Sequence, residues 1–106
     1  MHDYQLRYLP QFHKDLKKHI QYIAIHLQNP QAASDLIDAT EKAILERLSD
    51  AEAYEQYHSL KERRFPYYRI YVKNYIVFYV VIPEDDHKIM EVRRFVYGKS
   101  NWKHNI

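Results

Sequence analysis

The hydrophobic period of this sequence changes along the chain, and the order of those changes constrains the fold more than any other feature. Tyr4, Leu6 and Tyr8 alternate with Gln5, Arg7 and Leu9, the period-two pattern of a short strand closed by Pro10. From Gln11 the period lengthens: Phe12, Leu16, Ile20, Ile23, Ala24 and Leu27 fall on one helical stripe, with Lys14, Lys17 and Lys18 on the other face. Asn29-Pro30 ends that helix and starts the next, because Asn caps well and Pro is preorganised for the first helical position. The second helix buries Ala33, Leu36, Ile37, Thr40, Ile44 and Leu48 and turns Asp35, Asp38, Glu41 and Glu46 outward. So short a connection implies two antiparallel helices packed as a hairpin.

After Asp50 the pattern lapses until Pro66, with Tyr54, Tyr57, Leu60 and Phe65 placed to cover a core edge. Period two then returns. Tyr67 to Val72 and Tyr75 to Ile82 are rich in aromatic and β-branched residues and are separated only by Lys73-Asn74, a two-residue hairpin turn. A second turn at Pro83 to His87 leads into a last strand, Lys88 to Tyr97, which Gly98 ends before a polar tail from Lys99 to Ile106. The expected architecture is α+β: a strand, an antiparallel helical hairpin and a three-stranded antiparallel meander in a single domain, residues 1–106. The helices cover one face of a mostly antiparallel sheet. Tyr67, Arg69 and Tyr71 share one side of their strand, and alternation puts Arg93, Phe95 and Tyr97 on one side of theirs, which implies an open face of arginines and aromatics.

Composition excludes several kinds of chemistry. Without cysteine there is no disulfide, no thiol nucleophile and no zinc site built on sulfur. The single glycine, Gly98, rules out Gly-rich phosphate loops and the GxSxG nucleophile elbow. His13, His19, His26, His58, His87 and His104 show no metal-ligand spacing, so no metal or other cofactor is expected, and His19 and His26 read as exposed side chains. No signal peptide and no membrane-length apolar run is evident, which makes the cytoplasm the expected location. The net charge of +2 conceals a gradient, with an acidic second helix and a basic half after Tyr57. An anionic partner would meet that second half.

What remains is a constellation of Arg63, Arg64, Arg69, Arg93, Arg94, Tyr97, Lys99 and Trp102. Arginine makes bidentate contacts to phosphate, and aromatic rings stack on unpaired bases. Metal-free RNA cleavage needs only such parts: a base for the 2′-hydroxyl, cations for the developing charge and an acid for the leaving oxygen.

The segment Tyr68-Arg69-Ile70-Tyr71-Val72-Lys73-Asn74-Tyr75-Ile76-Val77-Phe78-Tyr79, followed by Val92-Arg93-Arg94-Phe95-Val96-Tyr97-Gly98, resembles the hairpin and closing strand of the RelE/ParE superfamily of type II toxin–antitoxin toxins. The order of elements is similar over nearly the whole chain. The resemblance implies a toxin held inactive by a cognate antitoxin whose acidic and apolar segment suits the basic half. It also implies one of two targets: RelE-like members cleave mRNA on the ribosome, and ParE-like members inhibit DNA gyrase. In the RelE-like case Arg69, Arg93 and Tyr97 would be catalytic, with Arg63, Arg64, Arg94, Lys99 and Trp102 binding. The sequence departs from the family where Lys99-Ser100-Asn101-Trp102 replaces a common Arg-Arg-Asp ending. Low net charge, the acidic second helix and two long helices favour the gyrase-directed branch. A fold of this kind that has lost toxicity and serves as an interaction module is the third possibility.

Overall fold

The structure is a computed structural model describing residues 4–106. Strand β1 (Tyr4–Tyr8) leads through Leu9 into helix α1 (Pro10–Gln21), with Pro10 at its start. The helix widens into a π-turn over Tyr22–His26, where Leu27 N donates to Tyr22 O at 3.1 Å. Gln28 takes a left-handed backbone (φ 51°) and reverses the chain. Helix α2 (Pro30–Leu48) then begins on the expected cap, Ala32 N donating to Asn29 Oδ1 at 3.1 Å.

The described residues build a five-stranded sheet in the order β1-β5-β4-β3-β2, with β2 (Gln56–Tyr57), β3 (Tyr67–Val72), β4 (Tyr75–Pro83) and β5 (Lys88–Tyr97). The expected meander is β3-β4-β5. Two edges extend it: β1 runs parallel to β5, and the two-residue β2 lies antiparallel to β3. The latter falls in the stretch where no periodicity was legible, because two residues are too few to show one. In the β3–β4 turn, Lys73 and not Asn74 adopts the left-handed conformation (φ 54°).

The helices cover one face. Phe12, Leu36 and Ile44 pack on Tyr68, Ile70, Val77, Tyr79, Met90, Val92 and Phe95, all within a tenth of full burial. Ile37, expected in this core, is 40% exposed instead, because the apolar stripe of α2 drifts off the sheet there. Tyr79 locks the chain after α2: its hydroxyl donates to Ala51 O at 2.6 Å and accepts from Arg47 Nη1 at 3.0 Å. Burial pushes that hydroxyl up to about 12, so it stays a donor.

The other face is not open as the sequence implied. The expected polar tail folds back onto it, forming a 3-10 turn at Trp102–His104. Trp102 and Ile106 join Tyr67, Ile76, Phe78, Val80 and Val96 in a second, smaller core. Each such side chain contributes about 1.5–3 kcal/mol when fully buried, which outweighs the tail's polar composition. Trp102 Nε1 donates to Gly98 O at 3.1 Å and fixes the turn.

Gly98 also receives the β3–β4 hairpin, since its N donates to Asn74 O at 2.7 Å. A Cβ there would stand 3.0 Å from that backbone oxygen, which cannot retreat without lengthening its own hydrogen bond. Gly98→Ala is therefore expected to cost about 1–3 kcal/mol, read as a lower midpoint in thermal or denaturant unfolding.

Candidate functional site

Strand β5 carries a bulge. Phe78 pairs with Arg94 but Tyr79 pairs with Val92, so Arg93 is the extra residue. The bulge resets the alternation: Met90 and Val92 face the helices before it, and Phe95 faces them after it. The expected common side for Arg93, Phe95 and Tyr97 is thus corrected. Phe95 is buried at 1% exposure under Phe12, and Tyr97 follows it to the helix side, its ring 5.4 Å from Tyr75. Arg93 turns to the opposite face, where its Nε donates to Glu91 Oε1 at 2.8 Å.

The arginines of this strand are engaged by carboxylates. Glu91 is also held by Arg7, whose Nε donates to Oε2 at 2.8 Å. Burial alone would raise the Glu91 carboxyl, but the hydrogen bonds and charges of Arg93 and Arg7 outweigh it and hold it below the usual range. Arg94 reaches around the sheet edge to α1, its Nε donating to Asp15 Oδ2 at 2.7 Å. Asp15 also accepts from Phe95 N at 3.0 Å and Gln11 Nε2 at 2.8 Å.

A cleft of about 800 Å³ opens on the face away from the helices, between the β3–β4 hairpin and the returning tail. Arg69, Lys73, Lys99 and Lys103 line it beside Tyr57, Tyr71 and Trp102, and among the described residues that line it none is acidic. The Arg69 guanidinium lies 4.8 Å from the Tyr57 ring centre and 5.6 Å from that of Tyr71, which holds it in the cleft without neutralising it. A smaller cavity of about 230 Å³ adjoins across Tyr57 and takes in Lys61 and Arg63, the latter 5.0 Å over the Tyr67 ring.

Of the residues singled out from sequence, Arg69, Lys99 and Trp102 therefore meet in one cleft and Arg63 stands in its neighbour. Trp102, at 7% exposure, forms its floor and anchors the tail, so little of its ring is presented. Arg64 is exposed, 5.2 Å over Phe65, while Arg93 and Arg94 are tied to Glu91 and Asp15. Tyr97 faces the helices. Sequence reasoning missed Tyr57, Lys73 and Lys103 as cleft residues. The parity of β3 already put Tyr71 beside Arg69, and only the fold brings Tyr57 and the tail lysines to them.

A second, apolar cleft of about 880 Å³ lies at the tip of the helical hairpin and includes His19, Tyr22, Ile23, Leu27, Leu36, Tyr75 and Tyr97, with Lys18 and Lys73 on its rim. Tyr22, Ile25 and Leu27 around this tip are each more than half exposed. His19, expected on the surface, is half-buried with its ring 5.1 Å from Tyr75 and 5.8 Å from Phe95. Burial, then the neighbouring Lys18, lower its pKa from the ordinary value. Among the described residues, no group of three His, Asp or Glu side chains is placed to hold a metal, and no helix is long and apolar enough to cross a membrane.

Two pH dependences follow. His19 has a depressed folded pKa, so its contribution is intact above about pH 6.5 and is lost as the unfolded chain gains a proton below it. His19→Phe, which keeps the ring contacts, should flatten the stability slope between about pH 7 and about pH 5. Glu91 is a depressed carboxyl, so its contribution is intact above about pH 4.5 and is lost as pH falls through the folded value. Glu91→Gln should lower the melting temperature markedly at about pH 7 and much less at about pH 3.

Comparison with curated proteins gives no match. The family described as the ParE toxin of the type II toxin–antitoxin system, parDE, matches residues 6–102, which takes in every strand and both helices apart from the first two residues of β1. The strand, helical hairpin and sheet just described agree with the RelE/ParE-like fold, and the chain belongs to the ParE toxin family of type II toxin–antitoxin systems.

Proposed function

We propose that this toxin arrests growth in the cytoplasm by inhibiting DNA gyrase, and that a cognate antitoxin neutralises it. The observation that carries the choice of target is the scattering of the residues that metal-free RNA cleavage would use. Arg69 faces the cationic cleft, Tyr97 faces the helices, and the Arg93 guanidinium is committed to Glu91. Stabilising a phosphorane requires preorganised donors aimed at one developing charge, and proton transfer requires a group within hydrogen-bond reach of the same centre. A chain that works by docking on another protein has no such requirement.

The apolar cleft at the helical tip supports the antitoxin half of the reading. Tyr22 and Leu27 in this cleft are each more than half exposed, apolar surface of the kind that marks a protein-binding site, and Lys18 and Lys73 at its rim suit a segment both apolar and acidic.

Two purified reactions separate the targets. The toxin is expected to reduce supercoiling by DNA gyrase while leaving translation of preformed mRNA complete and the message whole. Ribosome-dependent cuts in the mRNA would replace the gyrase reading with the RelE-like one. No effect in either reaction would leave an interaction module of the same fold.

A further inference from the structure

Ten of the sixteen Lys and Arg side chains form two contrasting groups. Arg7, Lys88, Arg93 and Arg94 all have carboxylate partners within 2.8 Å. By contrast Lys61, Arg63, Arg69, Lys73, Lys99 and Lys103, which line the two adjoining cavities beneath β3, have no carboxylate ion-pair partner among the described residues. Glu62 is the single acid among the described residues lining either cavity. Six cations without a carboxylate partner along one track create a local positive potential that attracts a polyanion.

The track follows β3 from Tyr67 beside the smaller cavity to Lys73 at the far end of the larger one. Six strand residues span roughly 20 Å at about 3.3 Å each, room for about six stacked nucleotides at roughly 3.4 Å apiece. Aromatic rings are interleaved with the cations. Tyr71 presents 65% of its surface, and Tyr57 forms the wall between the two cavities. Rings that are exposed beside cations offer stacking to unpaired bases, whereas a duplex keeps its base faces hidden. In addition, the Arg63 Nε is a buried donor without an acceptor, an unmet hydrogen bond at one end of the track.

We propose that this face binds a single-stranded nucleic acid through its phosphodiester backbone, with Tyr71 as a stacking platform, and does not cut it. The larger cleft is lined by no histidine and no carboxylate, among the described residues, that could take a proton from a 2′-hydroxyl, and the two such groups on the track, His58 and Glu62, line the smaller cavity, whose lining includes neither Arg69 nor Tyr71. The inference deepens the gyrase reading and rests on it for its setting, because the target of that reading is an enzyme that acts on DNA.

The test is fluorescence anisotropy of the whole toxin with a labelled twelve-nucleotide oligothymidylate, an RNA of equal length and a duplex. Both single strands should bind more tightly than the duplex, with log K falling against log salt at a slope of about −3 to −4. The double variant Lys73→Glu with Lys99→Glu should weaken binding at least tenfold and make the slope shallower by about 1.4. Tyr71→Ala should weaken binding about fivefold or more at unchanged slope. Lys14→Glu with Lys17→Glu, on the exposed face of α1, should leave affinity within about twofold of the parent. All these positions are exposed, and melting curves check that each variant folds.

Unchanged affinity in the Lys73/Lys99 variant, preference for the duplex, binding of RNA alone or shortening of the RNA would each overturn the proposal. Inhibition of gyrase without oligonucleotide binding would sink this inference and leave the gyrase reading standing. Oligonucleotide binding without any effect on gyrase would do the reverse.

Discussion

The buried carboxylate of Asp15 ties the first helix to the last strand, and the arrangement of both sheet faces depends on that tie. Strand β1 covers the edge of β5 only as far as Val92, after which Leu9 N makes one further bond to Val92 O and the chain turns away into α1. Beyond that point β5 would present an unpaired backbone donor. Asp15 takes it, accepting from Phe95 N, and the same carboxylate neutralises Arg94. A side chain on a helix thus completes a ladder that the neighbouring strand leaves unfinished. The helix is held over Phe95 as a result, and Phe12 and His19 pack their rings against it.

The bulge at Arg93 works with this tie. One extra residue in β5 shifts every later side chain to the other face, so Phe95 enters the main core while Arg93 joins Glu91 and Arg7 on the opposite side. Without the shift, an arginine would have to point into the apolar layer beneath α1, a burial that costs several kcal/mol unless the charge is paired. The second face is completed by the returning tail, whose Trp102 and Ile106 turn a bare sheet surface into a small core and leave a cleft beside it.

The functional reading follows from how charge is distributed over these surfaces. Around β5 the cations are spent on internal carboxylates and serve the fold. Along β3 and the tail they are left without acids, spaced among tyrosines. The helical tip is different again, apolar with a thin basic rim. A toxin of this family must be held by an antitoxin and must reach a target, and the molecule offers two chemically unlike surfaces for those contacts, which meet at Lys73, Asn74 and Tyr75 of the β3–β4 hairpin.

Much of the architecture was legible in the sequence because it depends on short-range pattern. The period of the apolar residues fixes helix or strand locally, Asn29-Pro30 and Lys73-Asn74 mark reversals within two residues, and the absence of cysteine removes whole classes of chemistry. The family likeness rests on the same local features of the hairpin and closing strand. Other properties depend on contacts between residues far apart in the chain. Strand β2 exists only because Gln56 and Tyr57 meet Tyr68 and Tyr67. The tail is buried because Trp102 finds Tyr57 and Phe78, although its own stretch is polar. Simple alternation misplaced Phe95, since a bulge is set by the partner strand and by Asp15, seventy-nine to eighty residues away in sequence from Arg94 and Phe95. Which arginines are free to act was likewise decided in three dimensions, because a guanidinium is neutralised by whichever carboxylate the fold brings within reach, and sequence separation says nothing about that distance.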